Sequence, residues 1–357
     1  MERTTRDSRR RYPQRSGSRY ADKRSSSRYT GGRTAQTSRH SGTSGRRSGT
    51  RCRRGSRNRL YACLIVFLVL VIICGAGTLL LNRAGRDEAP DVTVSLDSLD
   101  SPYAVLLDAG TGTVLGSKRS EEKIFPASMV KIMTVLTAVE HIKNLDETVT
   151  MSYDYYDALY EQDASRAGFE PGEEVVIRDL LYGALLPSGA ECCMELALQA
   201  AGSESAMTEM MNAKAAELGL TQTQFTNVTG LHNEEQFSTP HEIALILQEA
   251  LKNKTFREVF TTKSYTVGAS NVHPDGFTFQ SSMFKNMETA AVTGGEIMGG
   301  KTGYTDEAGH CLASMAEIEG REYILVTAGW AENPQTEQYH ISDAFLAYNT
   351  LGSALQS

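Results

Sequence analysis

The sequence predicts an α/β fold in which strands from both ends of an outer body form one sheet around a helical insertion. Three observations carry that expectation. The stretch "YAVLLDAGTGTVLGS", Tyr103 to Ser117, has two apolar runs around a Gly- and Thr-rich turn, the pattern of a β-hairpin. Between Ser128 and Leu220 the apolar spacing is mainly helical, broken by the polar stretch "MSYDYYDALYEQDASRAGFEPGEE". From Phe256 onward the texture returns to strands, with "SYTVGA" before "GGKTGYT" and "REYILVTAGW" after it.

The chain divides by charge before it divides by fold. Residues 1–59 hold 18 Arg and one Lys against Glu2, Asp7 and Asp22, a net of +16, while the whole chain carries −7. This tail is Arg, Ser, Thr, Gly and Tyr with little to bury, so it is expected to be a disordered cytoplasmic segment. Its charge suits anionic lipid, and it serves equally as a solvated topology signal; no specific nucleic-acid partner is expected. "LYACLIVFLVLVIICGAGTLLL", Leu60 to Leu81, has no charged residue in 22 positions. A bilayer-spanning helix needs about 20 apolar residues, so 60–82 is expected to be a transmembrane helix. A cleaved signal peptide is the rival, but "TLLL" continues the apolar run past Gly75, Ala76 and Gly77. The arginines crowd the N-terminal flank, which puts the tail inside and the acidic body outside the cell membrane.

Residues 83–100, "RAGRDEAPDVTVSLDSLD", read as a polar juxtamembrane linker, and 101–357 as one globular domain. After the hairpin, "SMVKIMTVLTAVEHI" (Ser128–Ile142) is a helix with Pro126 in its first turn. "VVIRDLLYGALL" is a second helix that stops at Pro187, "AECCMELALQAAG" a third that closes at Gly202, and "SAMTEMMNAKAAELGL" a fourth. "QYHISDAFLAYNTLGSAL" reads as a terminal helix.

Several chemistries find no support in the sequence. There is no His-Glu-x-x-His and no paired Cys-x-x-Cys, so no metal is expected. No glycine-rich dinucleotide fingerprint and no phosphate loop occur, so no cofactor is expected either. Cys192, Cys193 and Cys311 are the cysteines of the body, and three cannot pair completely, so buried apolar roles are expected. His232, His241, His273 and His310 read as surface or structural groups, and Tyr182 as core.

Nucleophilic chemistry remains. Ser128 and Lys131 are three apart, so on a helix they share a face and can meet. A lone pair of this kind is ordinarily a solvated lysine on an amphipathic helix. Two further motifs change that weight: Ser188 in "LLPSGAE", and Lys301, Thr302 and Gly303 in "GGKTGYTDEAG". Ser-x-x-Lys, a Ser-x-Asn-like element and Lys-Thr-Gly in this order are the signature of penicillin-binding proteins and serine β-lactamases. "PASMVKIMTVLTAVE", "GEEVVIRDLLYGALLPSGAE", "NVTGL" before "FSTPHEIALI", and "GGKTGYTDEAGHCLASM" resemble the low-molecular-mass penicillin-binding proteins, serine-type D-alanyl-D-alanine carboxypeptidases. The resemblance covers nearly all of 101–357.

That resemblance implies a β-lactamase/DD-peptidase-like fold, an antiparallel sheet flanked by helices with a helical subdomain. It implies catalysis by Ser128, Lys131 and Ser188, and substrate binding by Lys301, Thr302, Gly303 and the backbone of Tyr304. Peptidoglycan stem peptides are the implied substrates and β-lactams the implied covalent inhibitors. A serine hydroxyl attacks poorly until a neighbouring base takes its proton, and a lysine can be that base only when neutral. Burial and a second cation, Lys301, both lower a lysine pKa. One departure stands out: Ala190 occupies the place where the family's second motif usually has Asn. A non-catalytic penicillin- or wall-binding sensor is therefore the alternative. A β-lactamase is less well supported, since no Glu-x-x-Leu-Asn follows the second motif. Taken alone, Ser188 would be an N-cap for the helix after it.

Overall fold

The computed structural model describes residues 88–331 and 339–357. The expected tail (1–59) and membrane helix (60–82) lie outside the described residues. Among the described residues, no helix is long and apolar enough to cross a membrane.

The hairpin forms where its apolar runs predict, as β1 (Tyr103–Asp108) and β2 (Val114–Lys118). Asp108 ties its turn, accepting at Oδ1 from the Thr111 N–H (2.8 Å) and hydroxyl (3.0 Å). A 3-10 turn, Ala127–Met129, leads into α1 (Val130–His141). Then follow β3 (Thr148–Thr150), α2 (Tyr156–Glu161), β4 (Glu174–Val176), α3 (Ile177–Leu185), α4 (Ala190–Ala201) and α5 (Glu204–Glu217). Gly202 ends α4 at φ 80°, a left-handed conformation that glycine adopts without steric cost. Ser203 caps α5 by accepting from the Ala206 N–H at 3.1 Å.

Beyond these lie α6 (Pro240–Ala250) and α7 (Lys254–Phe260). The second corrects the expectation of strand texture from Phe256. Asn253 caps α7 through Oδ1, and Phe256, Val259 and Phe260 bury one face of it, so a β-rich composition is overridden by a cap and helical spacing. The C-terminal part supplies β5 (Ser264–Val267), β6 (Phe277–Gln280), β7 (Ala291–Val292), β8 (Gly295–Thr305), β9 (Gly309–Ile318), β10 (Arg321–Trp330) and α8 (Tyr339–Leu355).

The main sheet has the order β2-β1-β10-β9-β8-β7, with every pairing antiparallel. Strands from both chain ends thus meet at β1–β10, as the sequence predicts. Both faces are covered. Val105, Leu107, Cys311, Ala313, Ile324 and Val326 join the core shared with the helical block. Ala104, Leu106, Leu312, Ala316, Tyr323 and Leu325 join a second core with α8 residues such as Tyr348 and Leu351. The period-2 alternation of strand side chains splits neighbours between the two cores.

The linker expected over 83–100 ends sooner than its polar composition implies. Val94, Leu96 and Leu99 are buried in the second core, and the Val94 N–H donates to Leu115 O at 2.7 Å. Three apolar residues scattered among acidic ones carry no periodic signal, and only the sheet face they cover reveals their role.

β8 contains the decisive irregularity. Ile297 pairs with Ala316 but Gly299 pairs with Met315, so one extra residue is inserted in β8. From there Lys301 lies opposite Ala313 and Gly303 opposite Cys311. Without the insertion Lys301 would lie opposite Leu312 and face the second core. A one-residue shift exchanges the faces of every later side chain, so this bulge turns Lys301 toward the helical block.

Candidate active site

Ser128 lies in the 3-10 turn, just before α1. Ala127, before it, holds φ 46°, a left-handed conformation rare for a residue with a Cβ. Gly230 presses on this turn: a Cβ there would fall 2.0 Å from Ala127 O and 2.9 Å from Ser128 Cα. The backbone at Ala127 and Ser128 is therefore packed directly against Gly230.

Lys131 Nζ donates to Ser128 Oγ at 2.9 Å and to Thr229 O at 2.5 Å. Its side chain is 2% exposed. Burial pushes the Lys131 pKa down, against the charged forms of Cys193 and Glu191. Cys193 itself is pushed up to about 12 by burial, which keeps the thiol neutral.

The second pair comes from distant elements. Lys301 Nζ, on β8 and 0% exposed, donates to Ser188 Oγ at 2.9 Å and to Thr302 O at 2.7 Å. Burial first, and the Lys131 charge second, lower the Lys301 pKa. Two lysines close enough to repel in a dry site resist being charged together. Ser188 takes φ 71° between α3 and α4, and the helix cap position belongs to Gly189, which makes no side-chain cap bond. Ser188 is therefore not the N-cap that its sequence position alone suggests; its backbone is turned so that Oγ meets Lys301.

Gly303 closes the geometry. A Cβ there would lie 3.0 Å from Ser128 N and 3.1 Å from Ala127 Cβ, so the missing side chain at residue 303 lets β8 lie close against the turn that carries Ser128. Thr302 Oγ1 and Ser282 Oγ are 2.5 Å apart. Tyr304 stands exposed beside them, its hydroxyl donating to Asp306 Oδ1 at 2.9 Å. Of the histidines, His232, His241 and His273 pair with Glu307, Glu121 and Glu173.

Four residues escaped the sequence reading. Thr229 contributes its carbonyl, which no side-chain pattern can signal. Asn227 shapes the loop that presents it: Oδ1 accepts from Gly230 N (2.8 Å), Thr229 N (3.2 Å) and Thr229 Oγ1 (3.2 Å), and Nδ2 donates to Leu231 O (3.0 Å). Its one available signal was "NVTGL". Glu191, fully buried, accepts at Oε1 from the Ala167 N–H (2.6 Å) and Gly168 N–H (2.9 Å). This pins the 164–169 loop against Gly189, where a Cβ would meet Ala167 Cβ at 2.7 Å. Burial raises the Glu191 pKa. Ser282 is the fourth.

Two variants test this geometry. Asn227→Ala leaves the Thr229 and Gly230 N–H groups unpaired, an expected loss of about 1–3 kcal/mol in stability, read by denaturant unfolding. An unchanged stability would show that the loop does not depend on Asn227. Lys301→Met tests the buried charge. The folded Lys301 pKa lies below its unfolded value of 10.5, so between those two values the unfolded chain binds the extra proton. Stability contributed by neutral Lys301 therefore rises with pH through that window and is lowest below it. Lys301→Met removes up to about 1.4 kcal/mol per pH unit from that slope. Parallel stability–pH curves for the two proteins would show that Lys301 folds as a charged group.

Residues 90–331 match the D-alanyl-D-alanine carboxypeptidase family. A D-alanyl-D-alanine carboxypeptidase of Streptomyces sp. (strain K15) is 34% identical over 74% of this chain and 91% of its own length. DacF of Bacillus subtilis (strain 168), a D-alanyl-D-alanine carboxypeptidase, is 32% identical over 70% of this chain and 64% of its own. The crystal structure of the Streptomyces K15 DD-transpeptidase superimposes with a TM-score of 0.64 at 28% identity, covering 73% of this chain and 98% of that one. Fold, motif order and matched span agree: the chain belongs to the D-alanyl-D-alanine carboxypeptidase family of serine hydrolases.

Proposed function

We propose that the protein is a membrane-anchored serine D,D-carboxypeptidase that removes the terminal D-Ala of D-Ala-D-Ala stem peptides through an acyl-enzyme on Ser128. The observation that carries this reading is the 2.9 Å pairing of Ser128 Oγ with a buried lysine of lowered pKa. A neutral amine has two N–H donors and one lone pair. With one N–H held by Thr229 O, the lone pair can face Ser128 Oγ and take its proton as Oγ attacks the penultimate D-Ala carbonyl carbon. The N–H groups of Ser128 and Tyr304 receive the developing oxyanion, consistent with β8 lying against the 3-10 turn. The C–N bond breaks as Ser188 Oγ passes its proton to the leaving nitrogen and takes up the proton that Lys131 holds, which leaves Lys131 neutral again for deacylation. Water then attacks the ester, Lys131 takes its proton, and Oγ is reprotonated as the acid leaves. β-Lactams, which present a similar acyl group, react at the same serine.

Lys301 and Thr302 are the partners for the terminal carboxylate, with the Ser282 hydroxyl beside Thr302. An arriving carboxylate favours the charged form of Lys301, and that charge in turn keeps Lys131 neutral. The absence of Asn at Ala190 leaves two tasks open, support of Lys131 and contact with the substrate amide, and the Thr229 carbonyl, which accepts from Lys131 Nζ, serves the first. An amine in place of water would turn the same intermediate toward transpeptidation, the activity named for the Streptomyces K15 structure.

The test is D-alanine release from Nα,Nε-diacetyl-Lys-D-Ala-D-Ala by the detergent-solubilised full chain. Release supports the reading. A folded protein that takes fluorescent penicillin yet releases nothing would favour the sensor. For the anchor, 60–82 and the +16 tail support an extracytoplasmic catalytic domain held by one helix. Extraction of the protein from membranes by alkaline carbonate would refute it.

A further inference from the structure

We propose that Glu191 is a positioning residue for the proton that returns to the leaving nitrogen: it braces the 164–169 loop against Gly189 and so fixes the backbone that aims Ser188 Oγ. The assignment rests on the peptidase reading above, in which Ser188 carries that proton. An acid in the first turn of a helix ordinarily meets water and the helix dipole together. Glu191, in the first turn of α4, is instead 0% exposed, and its Oε2 is buried with no partner among the described residues. A buried oxygen left unpaired costs free energy, and the compensation lies on the other oxygen. Oε1 accepts from the Ala167 N–H at 2.6 Å and the Gly168 N–H at 2.9 Å. It can accept both whether or not Oε2 carries a proton, and burial favours the protonated form, so the brace does not depend on charge.

Ser188 needs such support. Its φ of 71° is costly for a residue with a Cβ and persists only where the surroundings hold it. The holding contacts fall on the three residues that follow. The Gly189 N–H donates to Gly183 O and the Ala190 N–H to Ser165 O, each at 2.8 Å. A Cβ on Gly189 would lie 2.7 Å from Ala167 Cβ, and one on Gly183 would lie 3.3 Å from it. The Ala167 methyl thus fills a notch between α3 and the start of α4, and Glu191 fastens the loop there through its two N–H groups. Without the carboxyl those groups lose their acceptor, the loop loosens, and Ser188 is free to relax toward an ordinary φ with Oγ turned away from the leaving nitrogen.

The consequence is confined to one kind of leaving group. An amine departs only as the electron pair of the C–N bond takes up a proton, which Ser188 Oγ gives while receiving the one on Lys131. A thiolate, whose thiol has an ordinary pKa of about 8.5, takes the pair of a C–S bond and departs without a proton. A misplaced Ser188 Oγ therefore slows an amide and spares the matching thiolester. A general loss of fold would slow both alike.

The test compares Nα,Nε-diacetyl-Lys-D-Ala-D-Ala with the thiolester that has sulfur in place of the scissile nitrogen, using the detergent-solubilised full chain. Glu191→Ala is expected to lower kcat/KM for the amide about 30- to 100-fold, the loss that goes with a displacement of about 1 Å, and for the thiolester by no more than about threefold. Glu191→Gln keeps an acceptor for both loop N–H groups and should restore the wild-type ratio of amide to thiolester. Ser188→Ala sets the scale, with a larger loss of the same selectivity. Penicillin labelling taken to its end point corrects each rate for the folded fraction. Equal losses on both substrates in Glu191→Ala, or a ratio that Glu191→Gln fails to restore, overturns the positioning role. If Glu191→Ala does not fold, Glu191→Asp, which withdraws the acceptor by one methylene, is held to the same criterion. Failure of both to fold would make Glu191 a residue of the fold and overturn the proposal too. A Ser188→Ala variant that slows both substrates equally would instead sink the relay on which this role rests, and a wild type that cleaves neither would remove the peptidase reading and this role with it.

Discussion

Ser128→Ala is expected to remain folded and to lose both D-alanine release and covalent penicillin labelling, with kcat/KM down roughly 10⁴- to 10⁶-fold. The reasoning starts from the hydrogen bonds. Ser128 Oγ is the hydroxyl that Lys131 Nζ reaches, at 2.9 Å, while Ser188 Oγ is committed to Lys301 at 2.9 Å. Removing Oγ leaves Lys131 its bond to Thr229 O, so the buried amine keeps a partner and the fold keeps its packing. What disappears is the hydroxyl whose proton Lys131 is placed to take. Stopped-flow or gel-based penicillin labelling and D-alanine release should fail together. Retention of either activity would move the nucleophile elsewhere, Ser188 being the first place to look.

Lys131→Arg should be nearly as damaging, by about 10²- to 10⁴-fold in acylation, and it separates base from charge. A guanidinium keeps the positive charge and can still donate to Thr229 O, but it cannot lose a proton at any accessible pH. If Lys131 served only to attract an anion, Arg would restore much of the rate. The pH profile supplies the same discrimination in the wild-type protein. Burial lowers the Lys131 pKa, so acylation should climb with pH as Lys131 loses its proton, and level off once it is neutral. A rate that falls steadily with rising pH from neutrality would contradict Lys131 as the base.

These outcomes bear on why two lysines occupy so dry a place. Each is costly to bury charged, and their repulsion adds to the cost. The arrangement makes sense as a device for holding one amine neutral near neutral pH. Cys193 is no rival base, because burial keeps its thiol protonated up to about pH 12.

Much of this was written in the order of the residues. The hairpin at Tyr103–Lys118 follows from two apolar runs and a glycine turn, and α4 and α5 follow from helical spacing broken at Gly202. Ser128 and Lys131 meet because residues three apart near a helix start share a face, a local fact that needs no tertiary structure. The motif order gave the family. Local sequence misread α7 as strand and 92–99 as linker, since both are defined by what they cover rather than by their own pattern.

The rest depends on distance in the chain. Ser188 and Lys301 are 113 residues apart, and their bond exists because β8 carries one extra residue between Ile297 and Gly299. That bulge reverses which side chains face the helical block, and nothing in "GEIMGGKTGYT" marks where the count changes. Thr229 acts through a backbone carbonyl, whose chemistry is the same in every residue and becomes specific only when a loop, here one shaped by Asn227, aims it. Sequence determines which groups are available and which near neighbours meet. Sheet register and loop packing decide which distant groups share one small volume, because there a shift of a single residue exchanges the two faces.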